Sequence, residues 1–69
     1  MRSDDVEDVG PCRIVRTSTK AALVRTDVGW SGWIPFSNIH VDDLPDVEPG
    51  AEVHRLRVAT WYVEREGIE

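Results

Sequence analysis

One run, Gly29-Trp30-Ser31-Gly32-Trp33-Ile34-Pro35-Phe36-Ser37-Asn38-Ile39, constrains this chain most. It holds two of the three tryptophans, the only phenylalanine and two of the five glycines. Truncating one buried aromatic destabilises a domain by about 3–5 kcal/mol, so a small core is expected to gather here. Pro35 lacks the donor a ladder needs, so a strand over residues 30–36 must end there or lie on an edge. Both of its faces carry apolar groups: Trp30, Gly32 and Ile34 on one, Trp33 on the other. A sheet apolar on both sides is covered twice, by closure plus a helix or by a partner.

Length limits what can surround this stretch. Sixty-nine residues make one domain, and a chain this short buries only about 60% of its unfolded surface. Apolar residues at 41% and charged ones at 30% fit a globular domain and exclude a disordered one. Cys12 is the only cysteine, which leaves no disulfide or cysteine zinc cluster and makes a reducing, cytosolic setting the expectation. No run approaches the ~20 apolar residues of a membrane span, and nothing after Met1 reads as a secretion signal.

Around the aromatic stretch the chain reads as short strands. Residues 1–9 carry Asp4, Asp5, Glu7 and Asp8 against Arg2 and are expected to form a flexible acidic tail. Residues 10–69 are expected to form the single domain. Strands are expected over residues 12–16 and 20–26, the latter joined to residues 30–36 by a hairpin turn with Gly29 at positive φ. A 3₁₀ turn capped by Ser37 follows. Residues 42–52 hold five carboxylates and two prolines and read as an exposed loop. Residues 52–58 read as the next strand, with Leu56 and Val58 in the core. A final helix over residues 61–66 begins at an N-cap Thr60. It stops at Gly67, with Val63 meeting Ile68 across the left-handed cap. A helix of under two turns needs tertiary anchoring, expected from Trp61 and Ile68, with Trp61 plugging one end of a barrel. The fold class expected is mostly β: a five-stranded, partly open barrel with a short C-terminal helix.

Lys20-Ala21-Ala22-Leu23-Val24-Arg25, then Trp33-Ile34-Pro35 with Ser37 and Ile39, Pro49-Gly50, Leu56-Arg57-Val58, Trp61 and Gly67-Ile68 form a further pattern. It resembles a group of very small proteins from phages and other mobile elements. The likeness covers residues 20–68. It implies an SH3-like or OB-like mini-barrel, mostly of unassigned activity, in the cytoplasm of a bacterial or phage-host cell. The acidic tail and Trp30-Ser31-Gly32 depart from the pattern, and no catalytic residue is carried over.

Chemistry is sparse. His40 and His54, with Asp42 and Asp43 near the first, lack metal-ligand spacing. Ser18, Ser31 and Ser37 lack a nucleophile elbow. Asp42 and Asp43 lie in a solvated segment that would not perturb them. Gly29 and Gly32 lack the Lys-Ser/Thr of a phosphate loop. No enzyme, cofactor or metal is therefore expected, and the fold is expected to be too small for a pocket of ~300 Å³. Surplus aromatics are interface anchors and a net charge of −5 suits a basic partner. The leading expectation is thus a protein-binding surface of Trp30, Trp33, Phe36, Asp42, Asp43, Asp46 and Glu48. One version is an acidic, anti-CRISPR-like inhibitor of a host nucleic-acid-handling or defence complex; another is a homodimer. The alternative is a single-strand nucleic-acid binder. Arg13, Arg16, Lys20, Arg25, Arg55 and Arg57 are six of the eight basic residues, and they would serve it if they shared a face with Trp33.

Overall fold

The computed structural model describes residues 5–68. The chain runs β1 (Val6–Asp8), β2 (Cys12–Thr17), β3 (Ala21–Thr26), β4 (Ser31–Pro35), two 3₁₀ segments (Phe36–Asn38 and Val41–Asp46), β5 (Glu52–Val53), β6 (Arg57–Ala59) and α1 (Thr60–Glu66). The strands pair antiparallel in two open sheets, a four-stranded one ordered β4-β3-β2-β5 and a two-stranded one of β1 and β6. The mostly β class and the short C-terminal helix are as expected, but the described strands number six rather than five, they lie in two open sheets, and no closed barrel forms among the described residues. The cause is a break at residues 54–56. The expected strand over residues 52–58 splits, giving β5 to one sheet and β6 to the other. At the break, Leu56 N–H donates to Asp8 Oδ1 at 3.2 Å instead of to a ladder.

Strands β2, β3 and β4 form a meander because their turns are chemically specified. Ser18 Oγ accepts from Lys20 N at 3.3 Å and Ala21 N at 3.1 Å, closing β2–β3. In the β3–β4 turn Gly29 takes φ 104°, and Thr26 Oγ1 accepts from Trp30 N at 3.1 Å. β4 ends at Pro35 and is an edge strand, satisfying both readings of that proline. The β2–β3 register shifts between Ile14 and Arg16. Side chains alternate along a strand, so without the extra residue Arg16 would follow Ile14 inward. The bulge at Val15 turns Arg16 to the other face.

The core is aliphatic. Ile14, Ala22, Val24, Ile34, Leu56 and Val58 are sealed, joined by Cys12, Ile39, Val63 and Ile68. Trp30, Phe36 and Tyr62 only pack against this cluster from its margin. Trp30 folds over Gly32: a Cβ there would lie 2.9 Å from Cη2 and Cζ2 of the indole. The expectation that the aromatic stretch forms the core is thereby corrected; Ile34 is its one sealed member besides Ile39.

Several local expectations change as well. Of the acidic tail, residues 1–4 lie outside the described residues. Val6–Asp8 is a strand against β6, because Val9 N–H donates to Leu56 O at 2.9 Å and Asp8 Oδ1 also accepts from Gly10 N at 2.8 Å. Ser37 caps nothing; Pro35 occupies that N-cap, with no side-chain bond. His40 caps the second 3₁₀ segment instead, its Nδ1 accepting from Asp42 N at 3.1 Å. Thr60 is the first helical residue and its N–H donates to Asp5 O at 3.0 Å, so the helix start is tied to the β1 side of the molecule. Its end is as expected: Gly67 is left-handed (φ 70°, ψ 35°), Gly67 and Ile68 N–H both donate to Val63 O, and Val63 and Ile68 are buried. Trp61, expected as the plug, is 46% exposed.

Candidate binding surface

The outer face of the four-stranded sheet is the one turned away from Ile14, Ala22, Val24 and Ile34. Register assigns its members. Glu52, Arg13, Arg25 and Ser31 form one row across β5, β2, β3 and β4. Arg16, Leu23 and Trp33 form the next. Arg13, Arg16, Arg25 and Trp33 are exposed and Leu23 half-buried, with Trp33 at 45%. Across two strand spacings, roughly 10 Å, Arg16 and Trp33 flank Leu23. Arg13 Nη2 donates to Glu52 Oε2 at 2.7 Å, and that contact holds the Glu52 carboxyl below its usual range. Both partners are exposed, so the pair contributes little to stability. Among the described residues Arg16, Arg25 and Lys20, the last in the β2–β3 turn, have no carboxylate within salt-bridge distance.

The edge of β4 continues this face. Phe36 N donates to Lys20 O and Thr26 N to Trp30 O. In the alternating antiparallel pattern, Leu23 and Trp33 are therefore a non-bonded pair, and the backbone groups of Trp33, on the edge strand, point off the sheet. Trp33 O is met there by Tyr62 Oη, which donates at 2.7 Å. Trp61 stands edge-on to Tyr62, ring centroids 5.6 Å apart. Trp61 was missed as a surface group. Its exposure follows from Val63 and Ile68 anchoring the helix, a task the Gly67 pattern already marked.

The other expected residues separate from this face. Trp30 and Phe36 are packed on the core margin. Asp43 is only 4% exposed and accepts three bonds from Arg57: from N at 2.8 Å and Nε at 3.1 Å to Oδ2, and from Nη2 at 2.8 Å to Oδ1. Those bonds hold its carboxyl below the usual range despite burial. Asp43 and Arg57 are thus removed from both expected surfaces, and residues 42–52 are not simply an exposed loop. Asp42, Asp46 and Glu48 stay exposed, but they lead into β5, the opposite edge of the sheet from β4. Arg55 lines an open groove of about 610 Å³ with Asp46, Glu48 and His54. Another, of about 560 Å³, includes Arg13, Arg25 and His54. Grooves exceeding the expected size limit do exist, as open clefts rather than enclosed cavities.

Burial, with Asp8 and Asp27 nearby, pushes the Cys12 thiol up to about 11, so it is neither a thiolate nor accessible. Among the described residues no cluster of three His, Cys, Asp or Glu side chains is arranged to hold a metal, and no helix is long and apolar enough to cross a membrane. The chain matches no known family, curated protein or solved structure. The likeness to small mobile-element proteins therefore rests on the Trp-Ile-Pro-x-Ser turn and its companions alone.

Proposed function

We propose that this protein is a non-enzymatic binding module that takes single-stranded nucleic acid on the outer face of its four-stranded sheet. The observation carrying this reading is that Arg13, Arg16 and Arg25 share that face with an exposed Trp33. Cations that track phosphates beside a ring that stacks a base are the recognition chemistry of sequence-tolerant single-strand binders. The net charge of −5 weakens long-range attraction, so the affinity rests on these local groups. An OB-like or SH3-like arrangement of the strands would accord with such use, and the resemblance to mobile-element proteins supports a host-cell cytoplasm as the setting.

The test is oligonucleotide binding across a salt series. Two phosphate contacts on that face, by Arg16 and Arg25, give a log–log slope of about −1.4 for a single strand. Arg16→Ala reduces that slope by close to one contact. Absence of binding at low salt refutes the reading.

One observation favours a second reading, a basic protein partner held by an acidic inhibitor of anti-CRISPR type. Asp42, Asp46 and Glu48 are exposed along one 3₁₀ segment and the turn after it, where they offer carboxylates in the manner of phosphates. It is the weaker reading because Trp33, the aromatic best suited to anchor a partner, is at the other edge. A host-lysate pull-down that yields no basic nucleoprotein counts against it. Size exclusion at two concentrations tests the homodimer.

A further inference from the structure

We infer that Trp61 is a second base-stacking position, and that the bound strand crosses the sheet from the arginines to Trp33 and then turns over the β4 edge onto helix α1. This rests on the nucleic-acid reading and adds a subsite to it. Trp61 and Trp33 are nearly equally exposed, at 46% and 45%. They belong to different elements, and Tyr62 joins them. Its hydroxyl is fixed to the Trp33 carbonyl at 2.7 Å, and its ring lies 5.6 Å from that of Trp61. Tyr62 also packs on the core, so the helix is braced against the edge strand and the backbone segments carrying the two indoles are held together. The brace fills the Trp33 carbonyl, which blunts the β4 edge toward strand addition. Pro35 removes a further donor from that edge. The rings are thus offered to flat partners in preference to a docking β-strand, and the cations at the other end of the path supply charge complementarity for phosphates.

The experiment uses the full chain with fluorescein-labelled oligothymidylates of two to twelve nucleotides at low salt. Affinity is expected to rise with length until both rings are spanned. Trp61→Leu lowers affinity for long oligomers by about ten-fold, the scale of one lost stack, and leaves the shortest ones unchanged. Trp61→Phe, which keeps a ring, retains most of the affinity. Tyr62→Phe weakens only the long oligomers, because it frees the brace without removing a platform. Far-UV circular dichroism confirms that each variant is folded. If Trp61→Leu binds every length like the unmodified protein while Arg16→Ala still weakens binding, Trp61 is no subsite and the sheet-face reading survives. If the unmodified protein binds no oligomer, both fall.

Discussion

Replacing Asp43 by Asn tests the energetic reasoning most directly. The side chain is sealed and accepts three bonds from Arg57, which together fasten the 3₁₀ segment Val41–Asp46 onto β6. An amide keeps one oxygen but faces at least one of the three donors with an NH₂ group. Charge-assisted bonds contribute about 1.5–3 kcal/mol each and neutral ones about 1. Breaking a fully buried ion pair costs about 3–5 kcal/mol. The Arg57 side chain is partly exposed and rehydrates, so the expected loss is about 2–3 kcal/mol. A domain of this length has roughly 3–10 kcal/mol in total, so the thermal midpoint should fall by about 10–20 °C. Asp42→Asn is the control: the same charge is removed one residue away from an exposed side chain, with a change within about 0.5 kcal/mol expected. The Asp43 carboxyl titrates lower folded than unfolded. Its contribution is therefore complete above the unfolded value, about 3.9, and disappears as pH falls through the lower folded value, because the unfolded chain takes up the proton first. Urea titrations of both variants at pH 7 and pH 3 measure this. Equal midpoints for the two variants at pH 7, or no narrowing of the gap between Asp43→Asn and the parent in acid, refute the account.

Leu56→Ala, at a sealed position beside the strand break, should cost about 2–5 kcal/mol, enough to leave much of the chain unfolded at 37 °C by circular dichroism. Gly32→Ala brings a methyl to 2.9 Å from the Trp30 ring; the indole must swing outward, seen as a red-shifted emission and easier acrylamide quenching. Cys12, buried with its thiol pushed up to about 11, should react with a disulfide reagent at neutral pH only at the rate of opening, and promptly in urea.

Turns and stops set by glycine and proline were the most legible part of the chain. Gly29, Pro35 and Gly67 each demand one backbone geometry, and each appears where its residue type requires. Tertiary choices were not legible. The arithmetic of apolar area pointed to tryptophans in the core, yet aliphatic side chains from several elements filled it first and left the indoles at the margin. A run of carboxylates reads as solvated in sequence, and only the fold brings Arg57 to Asp43. The break at residues 54–56 has no glycine or proline to announce it; its partner, Asp8, belongs to a segment that charge alone marks as a tail. For the candidate surface, the arginines of β2 and β3 and Trp33 were visible as residue types. Arg16 joins that face only through the Val15 bulge; alternation alone would have sent it to the wrong side.

The pairing of Val6–Asp8 with Arg57–Ala59 also dictates an order of events during folding. The β2–β3–β4 meander needs only short loops, whereas the β1–β6 clasp must bring together segments from the two extremes of the described chain, and closure entropy grows with that separation. The meander is thus the natural nucleus and the clasp the closing step. Substitutions in β1 should accelerate unfolding and leave the refolding rate nearly untouched.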